Sequence, residues 1–359
     1  MKKSDSATIV KQALSFEAPD RLPVFESFWA EWEQIWRRER GIPSDVSASD
    51  HFGNDISICV GQESLFSTQA GEVKQQDGYV YRNDGWGRVI RTRPGTYFSE
   101  TVERVLEAPG DLDAIVFDSP ALDSRYTSLG HQVSAARTKG QAPFVKIGGV
   151  FIRTSFFRGE AEFLMDLAAD EVFARELAER VGDHLLQIGL ESLRRGDVCD
   201  TGVWVCDDMC NALSPMFSPR MFERIFLPIY ERMVATLKAA GARWVVLHCD
   251  GNLGPLLPMV VDAGFDGINP VERSAGLIIE DLIEEYFGRL FLIGGVCNIQ
   301  ILPRGGQEAV RRHIEAIVDA GRNGGLIVGS HSLGPDIPVE AIELYRKIVS
   351  ERGAYRSAG

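Results

Sequence analysis

The sequence has no apolar run near the ~18 residues of a membrane span, few cysteines and a shortage of positive charge. Each absence excludes something. No membrane segment is expected. The polar opening Met1-Lys2-Lys3-Ser4-Asp5-Ser6 leads into no signal-peptide-like stretch, so a cytoplasmic protein is expected. The six cysteines (Cys59, Cys199, Cys206, Cys210, Cys249 and Cys297) show no framework spacing, and reduced thiols follow. Cys206 and Cys210, four apart, have a spacing compatible with zinc, but a lone pair also suits core packing. With 38 Lys and Arg against 51 Asp and Glu, the formal net charge is −13, which argues against a nucleic-acid-binding face. A local basic pocket for small anions is still compatible with that balance. No internal repeat or low-complexity tract is visible.

What the sequence does contain is a succession of eight short apolar runs with strand composition: Leu22 to Ser27, Asp55 to Val60, Phe144 to Val150, Val203 to Asp207, Trp244 to His248, Gly267 to Asn269, Phe291 to Val296 and Leu326 to Ser330. Amphipathic helical patterns lie between most of them, at Ala161 to Leu193, Ser218 to Ala240, Leu253 to Ala263, Gly306 to Ala320 and Pro338 to Glu351. Strand and helix in alternation predict a parallel sheet, and eight units predict closure into a (β/α)8 TIM barrel. Ser218-Pro219 is a helix start, a capping hydroxyl before proline at the first helical position. Residues of about 65 to 130 break the pattern, and Gly78 to Thr92 alternates around Asn83-Asp84-Gly85, which predicts a β-hairpin within an insertion at the barrel mouth. The chain is expected to form one domain over residues 1–359.

Strand ends in such a barrel face a common mouth. Trp244-Val245-Val246-Leu247-His248-Cys249-Asp250-Gly251-Asn252 runs from a buried strand straight into metal-competent side chains. His248 and Asp250, two apart, share a face, whereas Cys249 is expected to point away and pack. The remaining strand ends contribute Glu26, Lys146 with Gly148-Gly149, Asp207 and Asp208, Asn269 and Glu272, Cys297 and Asn298, and His331. Ionisable groups are costly at the ends of buried strands unless paired or metal-bound, so their recurrence predicts a site. His248, Asp250 and His331 are candidate zinc ligands with a fourth position open, and Cys249 and Cys297 are alternates. Without metal the same groups could work as acid and base, with Asp208 or Asp250 stabilising a cationic intermediate and His331 moving a proton.

These residues carry a resemblance to a known family. Arg21-Leu22-Pro23-Val24-Phe25-Glu26, Arg158-Gly159, Asp207-Asp208, Ser218-Pro219 with Pro228, His248-x-Asp250-Gly251-Asn252, and Gly329-x-His331 with Pro335-Asp336-Ile337-Pro338 resemble the uroporphyrinogen decarboxylase superfamily. That superfamily also contains cobalamin-dependent methyltransferases, and the resemblance runs from about Arg21 to the C-terminus. It implies a TIM barrel with its site at the C-terminal mouth, and a homodimer. Porphyrin decarboxylases carry Arg-Gln-Ala-Gly-Arg after the first strand, where this chain has Glu26-Ser27-Phe28-Trp29-Ala30-Glu31. An acidic, aromatic segment is a poor match for a substrate with many carboxylates. The zinc methyltransferases use His-x-Cys after strand five and a Cys after strand eight. His248-x-Asp250 and His331 stand at those positions here, a harder ligand set that still fits zinc.

The expected function is therefore zinc-dependent transfer of a methyl group between a small O-, N- or S-methyl compound and a corrinoid carried by a partner protein. The alternatives are decarboxylation of uroporphyrinogen or a related carboxylated substrate, and a non-catalytic corrinoid- or tetrapyrrole-binding barrel. Glu26, Asp208, Asp250 and His331 are the expected catalytic groups. Trp29, Lys146, Asp207, Asn269 and Asn298 are expected to bind substrate, with Phe28 and Trp32 adding to an apolar wall beside Trp29.

Overall fold

The computed structural model describes residues 5–93 and 99–355, so the polar start at Met1 to Ser4 lies outside the described residues. Strand β1 (Ile56–Val60) precedes four antiparallel strands, β2 (Gly71–Gln76), β3 (Tyr79–Asn83), β4 (Arg88–Thr92) and β5 (Glu100–Arg104). Six more follow: β6 (Ala142–Gly148), β7 (Gly202–Cys206), β8 (Trp244–His248), β9 (Gly267–Val271), β10 (Phe291–Gly295) and β11 (Leu326–Gly329). β1 and β6 to β11 pair in that order into one curled, seven-stranded parallel sheet, and β2 to β5 form a separate antiparallel one. This is a TIM-like α/β barrel with an inserted sheet.

The first expected strand, Leu22 to Ser27, fills the gap between β11 and β1 without forming a ladder. Val24 pairs with Val328 through a single parallel bridge, and Phe25 N–H donates to Val328 O at 3.0 Å. On the other side Asp55 N–H donates to Val24 O at 2.8 Å. Pro23 has no N–H to give, which limits this segment to isolated bridges. The Asp55 carboxylate takes Val24 N–H at 2.8 Å and pairs with Arg21, fixing the segment by side-chain bonds instead.

Strand alternation divides the apolar residues into two layers. Phe144, Trp204, Val246, Phe291, Ile293 and Ile327 fill the lumen, closed below by Val10 and Leu14 of the helix Ser6–Leu14. Val145, Ile147, Val203, Val205, Val245 and Leu247 face outward into the layer beneath the helices. Above the lumen residues, the next inward positions form the floor of the mouth.

The helix Gly306–Ala320 has its expected bounds, and the last helix, Val339–Arg352, is displaced by one residue. Ser218 caps its helix by accepting from Met221 N–H, as its sequence predicts. The segment after it is not uniform: a π-helical turn at Phe222–Phe226 precedes Leu227–Ala239, where Pro228 supplies no N–H. The expected helix from Ala161 to Leu193 is two helices, Glu160–Ala169 and Glu171–Gly196. They part at Asp170, which leaves helical geometry and caps Phe173 N–H with its side chain. Leu253 to Ala263 is likewise a 3-10 turn, Gly254–Leu256, followed by the helix Leu257–Asp262.

The hairpin is present as β3 and β4, with Val80 opposite Thr92 and Asn83 opposite Val89, and it is the centre of the four-stranded sheet. That sheet is seated on the helix Val150–Arg158, which begins at the mouth end of β6. Arg153 lies over the Trp86 and Phe156 rings, and Arg158 donates to Glu107 O at 2.7 Å. Among the described residues no helix is long and apolar enough to cross a membrane.

Candidate active site

His248 is the last residue of β8 and continues the inward face of Val246. Its Nδ1 lies 2.6 Å from Asn269 Oδ1 on β9. With that amide oxygen as acceptor, Nδ1 carries a proton and Nε2 is turned toward Asp250 Oδ1, 3.3 Å away. On the opposite side His331 Nε2 stands 2.8 Å from Asp250 Oδ2, with its Nδ1 3.6 Å from Glu272 Oε1. Two imidazoles therefore present Nε2 to one carboxylate. Asp208, half-exposed, completes the group with Oδ1 3.9 Å from His248 Nε2. Gly251 permits this arrangement. Its φ of +86° turns the chain immediately after Asp250, and a Cβ there would come within 2.4 Å of Asn211 O. Its N–H donates to Glu272 Oε2 at 2.5 Å, which holds that carboxylate beside His331.

The electrostatics are those of a tightly coupled cluster. Burial alone would lower the pKa of His248, but Asp250, Asn269 and Asp208 outweigh it and raise it above the ordinary imidazole value. His331 follows the same pattern: burial opposes, while Asp250, Glu272 and Asp208 raise it. For Asp250, burial is overcome by the two histidines, which hold the carboxyl well below the usual carboxylate range. Asp250 Oδ1 is nevertheless buried with no hydrogen-bond partner. Two overlapping sets, Asp208–His248–Asp250 and Asp250–Glu272–His331, each bring their ligand atoms within 4.8 Å of one another. An orphaned carboxylate oxygen facing an imidazole nitrogen is a fit for a cation. An N/O set of this kind suits zinc, with Asn269 as the outer partner that orients the ligand.

The structure brings His248, Asp250, His331 and Asp208 together, and it keeps other candidates apart. Phe25 packs among the lumen residues, so alternation turns Glu26 outward. Both Glu26 oxygens are taken by Ser330, from its N–H at 3.0 Å and its hydroxyl at 2.7 Å, and burial raises the carboxyl pKa. Glu26 thus braces the strand that delivers His331 instead of entering the mouth. Asp207 also faces outward, since Cys206 points in. It accepts Phe151 N–H at 2.9 Å, Ile152 N–H at 2.7 Å and the Tyr230 hydroxyl, which makes it the anchor of the helix Val150–Arg158. Burial pushes its pKa up to about 6. Gly149 must be glycine for this contact, because a Cβ would fall 1.9 Å from Asp207 Cβ.

Cys249 is buried with the outer apolar layer beside Cys210, and Cys297 is buried with Sγ accepting Gln300 N–H at 3.4 Å. Neither thiol belongs to a metal-competent group among the described residues, nor do Cys206 and Cys210, which face opposite sides of the strand layer. Asn269 holds His248 and donates to Ile293 O at 3.3 Å, while Asn298 donates to Ser332 O at 2.8 Å and ties two mouth loops together. Trp32 is fully buried, donating to Ile337 O at 2.9 Å, and Phe28 stacks on Phe52, so only Trp29 stands exposed at the rim. Lys146 projects from β6 toward the lumen. Glu272 joins the cluster although the sequence marks it only as a strand-end residue. Glu63 and Arg153 reach the mouth from outside the strands, where no periodicity announces them.

The family profile described as uroporphyrinogen decarboxylase (URO-D) matches residues 158–352. No curated protein matches the chain. Among solved structures, a methyltransferase from Methanosarcina mazei superposes with a TM-score of 0.68 at 14% identity, over 97% of this chain and 99% of its own. A B12-independent methionine synthase from Shewanella sp. W3-18-1, in complex with selenomethionine, aligns at a TM-score of 0.44 and 14% identity over 95% of each chain. At such identity the first superposition speaks for the fold alone. The profile match includes β7 to β11, the strands that deliver His248, Asn269 and His331. With more than half of its residues so matched, the chain belongs to the uroporphyrinogen decarboxylase family.

Proposed function

We propose that this protein is a zinc-dependent methyltransferase that moves a methyl group between a small O-, N- or S-methyl compound and a corrinoid carried by a partner protein. The observation that supports it is the aim of both imidazole Nε2 atoms at Asp250, whose Oδ1 is buried and unsatisfied. His248, Asp250 and His331 would hold the ion. A zinc ion bound there supplies Lewis acidity to the heteroatom that carries or receives the methyl group. Asn269 keeps the His248 ring oriented through the 2.6 Å contact at Nδ1, and Glu272, 3.6 Å from His331 Nδ1, is a charge partner for the second ring. Asp208, half-exposed beside His248, is placed to accept or return a proton at the heteroatom. The family implies a homodimer, which belongs to this reading as well.

Metal analysis tests it. Purified protein is expected to contain about one zinc per chain, and His248→Ala or His331→Ala is expected to lose it. Full methyl-transfer activity in metal-free protein would end the reading. A metal-free decarboxylase is the second reading, favoured by the 2.8 Å His331–Asp250 pair, which could move a proton without an ion.

A further inference from the structure

The mouth has walls of opposite charge. Asp208, Asp250 and Glu272 follow β7, β8 and β9. Lys146 projects from β6 on the lumen face, the next inward position after Ala142 and Phe144. It is half-buried, and among the described residues its ammonium has no ion-pair or hydrogen-bond partner. The adjacent carboxylate, Glu63, is already engaged: Oε2 accepts Gly148 N–H at 2.5 Å and Oε1 accepts from Arg153 Nη2. Arg153 retains a buried Nε–H with no acceptor, and its side chain lies across Gly148, where a Cβ would fall 2.1 Å from Nε. Lys146, Glu63, Arg153 and Asp208 all act on the half-buried Cys206 thiol, which the ladder sets beside Gly148, so they border one region of the lumen. Glu63 is committed to Arg153 and Gly148, and Asp208 to His248, so among the described residues Lys146 is the cation at this wall that no carboxylate pairs.

Removing cationic donors from water without an anion is costly, and a bound anion offsets that cost. The ladder sets Lys146 level with Trp204 and Val246, so with strands about 4.8 Å apart and a rise of about 3.3 Å per residue the Lys146 backbone lies about 12 Å from that of His248, two strands across and two residues further along. We infer that Lys146, with Arg153 beside it, binds a single carboxylate, so that the methyl compound used by this protein is a small organic acid. Its carboxylate sits at the β6 wall, and its methylated oxygen or nitrogen lies a few bonds away at the His248–Asp250–His331 wall. Only the second half of that statement rests on the methyl-transfer reading. A ring bearing many carboxylates does not fit, because the facing wall is acidic.

Calorimetric titration of the full chain with methoxyacetate and its neutral counterpart 2-methoxyethanol tests the subsite without turnover. Methoxyacetate is expected to bind at least about tenfold tighter. Lys146→Met is expected to erase that preference while leaving 2-methoxyethanol binding unchanged, and Lys146→Arg to keep most of it. Circular dichroism melts verify that both variants are folded. Equal affinity for the two probes, or a preference that survives Lys146→Met, overturns the inference. A Lys146-dependent preference in a protein that transfers no methyl group supports the carboxylate subsite and sinks the methyl-transfer reading instead.

Discussion

His184 offers a quantitative test of how the insertion is tied to the barrel. It lies in the helix Glu171–Gly196, is 5% exposed, and places Nε2 3.1 Å from Glu63 O. Glu63 is the residue that grips Gly148 and Arg153 at the mouth. Burial, with the nearby Arg125 guanidinium, lowers the His184 pKa from 6.5 to about 4. Between those values the unfolded chain holds a proton that the folded chain refuses, so the contribution is complete above 6.5 and is lost as pH falls toward 4. At about 1.36 kcal/mol per pH unit, going from pH 7 to pH 4.5 should remove about 2–3 kcal/mol through this residue alone. The perturbation is His184→Gln, which cannot titrate but can still donate a hydrogen bond to Glu63 O. Equilibrium urea unfolding of both proteins at the two pH values isolates the residue, because acid effects common to both cancel in the double difference. Wild type should lose about 2–3 kcal/mol more than the variant. Equal losses would refute a neutral, buried His184.

Other outcomes follow from the site itself. Cys249→Ala should keep most activity and cost about 1–2 kcal/mol in stability, as for trimming a small packed side chain, whereas Asp250→Ala should abolish turnover and leave the fold intact. An inactive but stable Cys249 variant, in parallel activity and melting measurements, would make the thiol a ligand. Asn269→Ala should weaken zinc binding by about 10–100-fold in a competition titration with a chromophoric chelator, since it releases the His248 ring. An unchanged affinity would remove Asn269 from the site. Uroporphyrinogen turnover should be absent or marginal by product fluorescence, given the acidic wall of Asp208, Asp250 and Glu272, and saturable formation of coproporphyrinogen would favour the decarboxylase.

Period and punctuation in the sequence determined the strand–helix alternation, the Ser218 cap, the hairpin at Asn83-Asp84-Gly85 and the delivery of His248 and Asp250 to one mouth. These depend on contacts within a few residues, and a strand's period of two sends His248 and Asp250 inward and Cys249 outward wherever the strand lies. Glu26 and Asp207 show where local reading stops. Each ends a strand and carries a carboxylate, but which face points inward was decided by the neighbours that enter the lumen, Phe25 and Cys206. The first segment lacks the ladder that would have shown its phase, because Pro23 breaks it. The break of the long helix at Asp170 was equally invisible to periodicity, since both halves keep apolar faces. The pairing of His331 with Asp250, the bracing of Ser330 by Glu26 and the wall formed by Lys146, Arg153 and Glu63 join residues up to 304 positions apart. Closure of the barrel brings such groups together, and no spacing along the chain encodes that distance.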